Sequence, residues 1–215
     1  MQEPLALKQI SFYFVLKKNN SMRKTIFSLT LIAGIGTISF IACNQAKETK
    51  AETPMATNES LVKRGGYLVN AMGCDDCHSP KKMGAMGPEV DMDLRFSGYP
   101  STRPLPKVDT NAIKRGSIIF NGDLTAAAGM WGMSFSANIT SDETGIGNWT
   151  EEQFKKAFTE GKWKGMDNSR PLMPPMPWRN FANLNDEDVK AIFAYLKSSK
   201  PVKNVEPPIL PLSAL

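Results

Sequence analysis

The sequence predicts a mainly α-helical domain over residues 59–203, with a longer irregular or short-β insertion between its two halves. Three observations predict it. Apolar residues recur at helical spacing in three stretches, each with a recognisable start or stop. A compact motif, Cys74-Asp75-Asp76-Cys77-His78, directly follows the first stretch. Residues 79–137 then intervene before the next distinctive pattern, which opens near Asn138.

Residues 1–42 read as a leader and not as fold. Met22-Arg23-Lys24 is a short basic region, and the apolar run Thr25–Ala42 follows it. Translation is expected to start at Met22. The run ends in Phe40-Ile41-Ala42-Cys43, which resembles the lipobox of bacterial lipoproteins, although Phe40 stands where leucine is usual. That resemblance implies cleavage before Cys43 and a lipid on its sulfur. An uncleaved run is about long enough to cross a bilayer as an N-terminal anchor. Either outcome tethers the rest of the chain to a membrane, on the periplasmic side of a Gram-negative cell.

The leader also decides the charge argument. It holds five of the 26 basic residues and one of the 21 acidic ones, which leaves 21 against 20 from Cys43 onward. The net charge of +5 is therefore no sign of a nucleic-acid partner. Residues 43–58 are rich in Lys, Glu, Thr and Ala without apolar periodicity, which suits a flexible linker with a reach of roughly 20–25 Å.

Ser60–Met72 reads as the first helix, with Leu61, Tyr67 and Leu68 apolar. Gly65 and Gly66 each lower its propensity by about 1 kcal/mol relative to alanine, so close approach of another helix is expected there. Within the insertion, Ser117–Phe120 and Met133–Ala137 are candidate short strands. Thr150-Glu-Glu-Gln153 has the capping-box pattern, and Phe154, Ala157 and Phe158 follow at helical spacing before Gly161. Asn185 caps the third helix, with acids in its first turn, Val189, Ile192, Phe193 and Leu196 on one face, and Lys197 and Lys200 at its end. Residues 204–215 form a proline-punctuated tail.

Cys-x-x-Cys-His is the spacing at which two thiols attach a haem and the adjacent imidazole becomes its proximal iron ligand. Cys74, Cys77 and His78 are assigned those roles. His78 is the only histidine and Cys43 the only other cysteine, so one covalent haem c is expected. A structural zinc site needs four ligands, and no second Cys/His pair supplies the fourth. A thiol–disulfide oxidoreductase places its cysteines after a strand, whereas these follow a helix, and Asp75 and Asp76 disfavour a thiolate.

A helix ending in the haem motif, a capped middle helix, a methionine–proline loop and an aromatic-rich last helix together resemble a class I cytochrome c. The stretches Ser136–Thr150 and Pro171–Trp178 are similar to motifs in bacterial cytochromes associated with membrane-bound dehydrogenases. The resemblance implies a crossing of the first and last helices, with Gly65 or Gly66 and Tyr67 against Phe193 and Tyr195. It implies Met176, framed by two prolines, as the distal ligand, with Met173 as the alternative. It also implies that the Pro88 carbonyl accepts the Nδ1–H of His78, with Pro80 as competitor. Asn138, Trp149 and Trp178 are candidates for the haem pocket, and a core role weighs equally for each. The insertion is longer than in a minimal member.

A haem ligated on both faces passes single electrons and leaves no site for substrate. The sequence therefore predicts an electron carrier and not an enzyme, working between redox donor and acceptor proteins. Two alternatives stand beside it: an obligate electron-transfer subunit of a membrane-bound dehydrogenase, and a haem-based sensor or enzyme if the sixth position is open.

Overall fold

The computed structural model describes residues 57–215. Cys43 and the leader, with most of the linker, lie outside these residues. Among the described residues no helix is long and apolar enough to cross a membrane.

Helix α1 (Asn58–Ala71) starts where Thr57 leaves the extended region and accepts a hydrogen bond from Ser60 N at 3.2 Å. It ends at Met72, and Gly73 turns the chain with φ +68° into a one-turn helix, α2 (Cys74–His78). At the other end of the domain Asn185 caps α6 (Asp186–Lys197) by accepting from Asp188 N at 2.7 Å. The two long helices cross at Gly65. A Cβ there would run into the Ala191 carbonyl and the Tyr195 Cβ, so the two backbones meet only because residue 65 has no side chain. A Cβ on Gly66 would meet only the edge of the Tyr195 ring, at 3.0 Å. Arg64 and Asp188 bridge the rim of the crossing at 2.8 Å.

The expected crossing is therefore right in its glycines and in Tyr195, and differs in the other aromatics. Tyr67 is 64% exposed and lies under the Arg64 guanidinium. Phe193 turns away to Phe154, 5.0 Å between ring centroids. That second helix is α4 (Glu151–Glu160), whose capping box joins Thr150 and Gln153 reciprocally and whose end is a left-handed Gly161. Helices α1, α4 and α6 bury Leu68, Val69, Phe154, Phe158, Val189, Ile192 and Leu196 in one core with Phe96 and Ile146.

The insertion is more ordered than its sequence reads. Strands β1 (Lys81–Gly84) and β2 (Gly87–Val90) form a hairpin in the register Lys81↔Val90 to Gly84↔Gly87. A short helix, α3 (Thr110–Lys114), is capped by Asp109. Strands β3 (Ile119–Phe120), β4 (Ala126–Gly129) and β5 (Gly132–Phe135) then form an antiparallel sheet in that order. The two candidate strands thus overlap β3 and β5 in part, while β1, β2 and β4 escape the sequence reading. Residues 204–215 return to this sheet: Met133 and Leu210 exchange backbone hydrogen bonds of 2.8 and 3.0 Å. Leu210, Leu212 and Leu215 pack on a second core of Ile113, Ala128 and Met133.

Candidate haem-binding site

Helix α2 supplies the motif. Positions three apart lie on one helical face, so a single turn presents the Cys74 and Cys77 sulfurs on the same side. Neither is in a disulfide. Burial first, and then the neighbouring Asp75 carboxylate, pushes the Cys74 thiol up to about 11, and burial also raises Cys77. Neither is the low-pKa thiolate that thiol–disulfide exchange requires.

Two cations clamp this turn. Arg95 donates to both oxygens of Asp75, Nε at 2.9 Å to Oδ1 and Nη2 at 2.6 Å to Oδ2. The same guanidinium reaches Tyr195 Oη on α6 and Asn70 Oδ1 on α1, each at 3.0 Å. Burial opposes ionisation of Asp75, but the hydrogen bonds from Arg95 and Ser79 outweigh it and hold the carboxyl below its usual range. Lys81 Nζ donates to the backbone carbonyls of Asp75, Asp76 and Asp123. The haem motif is thus fastened to α1, α6 and the insertion by charge-assisted bonds.

The half-buried His78 ring is oriented by the backbone. Its Nδ1 lies 2.8 Å from the Ala137 carbonyl. A carbonyl only accepts, so Nδ1 carries the proton and Nε2 keeps a free lone pair. Burial lowers the His78 pKa, which favours the neutral, ligand-competent ring, and the Ala137 bond opposes that shift in part.

Pro88 is not this partner. It lies exposed on β2 opposite Met83, because the hairpin that starts three residues after His78 carries it away from the ring. The Pro80 carbonyl is occupied too, accepting from Asp91 N at 2.9 Å. The Ala137 carbonyl comes into place because two segments run side by side: Ile139 N donates to Phe96 O and Tyr99 N to Ser136 O, each at 2.9 Å. Gly98 N, between them, donates to His78 O at 2.8 Å. Gly98 has φ +75°, and a Cβ would strike the Ser136 and Ala137 backbone.

Asn138 is 4% exposed and its amide is spent on the chain itself. It donates to Val202 O at 2.8 Å and Asn204 O at 3.1 Å, and accepts from Thr140. Its work is to hold the turn after Ala137 against residues 202–204, not to line a pocket.

Met176 is half-buried and packs on the main core, as do Cys74, Met72, Ile139 and Trp149. Met173 is half-buried outside that set, and its carbonyl accepts from Met176 N at 3.3 Å. The loop that carries them leaves α4 through Gly161, whose carbonyl accepts from Leu172 N at 2.7 Å. It ends at Trp178, the first residue of the short helix α5 (Trp178–Phe181). The Trp178 indole covers Gly161, where a Cβ would collide with it.

The cytochrome c family model matches residues 62–200. The chain belongs to the cytochrome c family. Membership implies electron transfer through covalent haem c. The gluconate 2-dehydrogenase cytochrome c subunit of Pantoea cypripedii is 33% identical over 175 residues, 81% of this chain and 28% of the relative. The fructose dehydrogenase cytochrome subunit of Gluconobacter japonicus is 29% identical over 72% of this chain and 25% of the relative. The cytochrome c subunit of the quinone alcohol dehydrogenase of Gluconobacter oxydans is 31% identical over 67% and 23%. The cytochrome therefore spans only 23–28% of the length of these curated relatives.

The residues present fit the haem that the family implies: two free thiols on one turn, and an imidazole whose Nδ1 is already satisfied. Sequence reasoning missed Arg95, Gly98 and Ala137. Gly98 alone had a local signal, since an isolated glycine in an irregular stretch often marks close backbone approach.

Proposed function

We propose that this cytochrome is a membrane-tethered, periplasmic carrier of single electrons, of class I, with one haem ligated by His78 and Met176. The orientation of His78 carries the reading: a ring held at Nδ1 by Ala137 offers Nε2 and nothing else to a metal. Cys74 and Cys77 would hold the group covalently, and Met176 packs against the same core as Cys74. When bound, the haem supplies a one-electron iron couple whose potential a His/Met pair raises. The protein's own part is to fix the ligands so that little moves when the charge changes. Arg95 and Lys81 lock the attachment turn, the Ala137 bond fixes the imidazole plane and raises its basicity, and three prolines stiffen the methionine loop. The tether rests on Cys43 and the apolar run before it.

The test is spectroscopic. Wild type is expected to be six-coordinate and low-spin. Met176→Ala should open the sixth position, lower the potential and let carbon monoxide bind the ferrous haem. Met173→Ala should cost only packing, about 1–3 kcal/mol. A wild-type protein that is high-spin and binds carbon monoxide would exclude the carrier and favour a haem-based sensor or enzyme.

A second reading has an observation of its own. The relatives above are named as cytochrome subunits of dehydrogenases, which makes an obligate subunit of a membrane-bound dehydrogenase the alternative. Co-purification of a flavin- or quinone-containing subunit from solubilised native membranes would establish it. Recovery of the cytochrome alone would favour the free carrier.

A further inference from the structure

The sheet β3–β5 has no part in the reading above, yet it reaches the methionine loop. Ser134 on β5 is 7% exposed, and its Oγ lies 2.5 Å from the Pro174 carbonyl. The hydroxyl has one proton, and its other carbonyl neighbour, Ala127 O, is 3.4 Å away. Trp131 Nε1 donates to the same Oγ at 3.2 Å, which leaves the Ser134 proton free to point at Pro174.

The loop has few other means of attachment. Pro174, Pro175 and Pro177 have no N–H to donate. The Met176 N–H turns back to Met173 O within the loop. Among the described residues, the Ser134 bond is the only hydrogen bond between residues 173–177 and another part of the fold, the start of α5 aside. The support behind it is firm: Ser134 pairs across from Ala127, and the preceding residue, Met133, is pinned to Leu210 by two backbone bonds.

The geometry points to Ser134 as the positioning residue of the distal-ligand loop: its hydroxyl, oriented by Trp131, holds the Pro174 carbonyl and thereby the place of Met176. This rests on Met176 being the iron ligand. The inserted sheet then belongs to the ligand-holding machinery, because a methionine two residues from a clamped carbonyl leaves the iron less readily than one on a free loop.

Threonine and valine have nearly the same shape and differ by the hydroxyl, so they isolate it. The ferric holoprotein is titrated with imidazole, an exogenous ligand that displaces the thioether, and loss of the sulfur-to-iron charge-transfer band is followed. Ser134→Val should bind imidazole about tenfold more tightly than wild type, the equivalent of one buried hydrogen bond. Ser134→Thr should stay near wild type, and Trp131→Phe should shift the affinity the same way by less. If Ser134→Val fails to mature, Ser134→Ala makes the same comparison with Ser134→Thr. Equal imidazole affinity in the hydroxyl-bearing and hydroxyl-free variants overturns the clamp, and the ligand reading survives if Met176→Ala still abolishes the band. A wild-type protein without the band, or a Met176→Ala variant that keeps it, overturns both.

Discussion

The Nδ1 of His78 and the carbonyl oxygen of Ala137 stand 2.8 Å apart across 59 residues of sequence. The inserted segment thus begins and ends at the haem motif, and its closing residues supply the group that orients the proximal ring. The Asn138 side chain fixes that closing turn by bonding the carbonyls of Val202 and Asn204.

Asn138→Ala should therefore act at two levels. It leaves the Asn204 carbonyl and the Thr140 N–H without partners, at a cost of about 2–3 kcal/mol by denaturant unfolding of the holoprotein. It also loosens the Ala137 carbonyl, makes the imidazole a poorer donor and raises the reduction potential. A variant with the expected stability loss and an unchanged potential would show that Asn138 braces the tail alone.

Gly65 and Gly66 separate helix propensity from packing. Propensity alone predicts that alanine stabilises α1 at either position by about 1 kcal/mol. At Gly65 the new methyl would meet the Ala191 carbonyl, which is backbone and cannot swing aside. Gly65→Ala should lose about 1–3 kcal/mol or more as the two helices are pushed apart. Gly66→Ala meets only the Tyr195 ring edge and should stay within about 1 kcal/mol of wild type. Thermal unfolding of both variants with haem attached makes the comparison, and equal effects would refute the assignment of the crossing point.

What was legible in the sequence was local. Thr150 with Gln153, Asn185 with its acidic first turn, and Cys74-Asp75-Asp76-Cys77-His78 each carry their signal within a few residues. The insertion was obscure for physical reasons. Lys81–Gly84 and Gly87–Val90 are mostly exposed or half-buried, so no alternation of apolar residues marks the hairpin. Ala126–Ala128 reads as helix by propensity but lies buried on both faces as a strand. Arg95 finds Asp75 from 20 positions away and Ser134 finds Pro174 from 40, distances at which a single sequence has no periodicity to offer. The Pro88 expectation failed through the same hairpin, which uses up the residues that would have looped back beneath His78.

Cys43→Ser distinguishes the two forms of tether. If the cysteine carries lipid, the wild type should show the lipid mass on a chain that begins at Cys43, and the variant should lose that lipid with its haem spectrum intact. If the apolar run Thr25–Ala42 stays as an uncleaved anchor, wild type and variant alike should keep that run and carry no lipid. Fractionation with mass spectrometry of the purified chain reads both outcomes. A wild-type protein found only in the soluble fraction would remove the tether altogether.

Asp123 links the two parts of the insertion and supplies a pH signature. Its Oδ1 accepts from Thr125 Oγ1 at 2.6 Å and Asn121 Nδ2 at 2.7 Å, and its Oδ2 accepts from Arg103 Nη1 at 2.6 Å. Burial works against the carboxylate, but the bonds from Thr125 and Arg103 prevail and hold the carboxyl below its usual range. A carboxyl depressed in the folded state binds fewer protons there than in the unfolded chain. Its contribution is therefore fully present above the unfolded pKa, about 3.9, and is lost as the pH falls through the lower folded value. Asp123→Asn keeps the shape but turns one acceptor into a donor facing Arg103 or Thr125, and should cost about 1–3 kcal/mol at neutral pH. The gap between wild type and variant should stay constant from pH 7 to about 5 and close as the pH drops below about 4. Urea unfolding of the two holoproteins across that range makes the test. A gap that widens on acidification would mean that Asp123 is protonated in the folded protein and that Arg103 is held by something else.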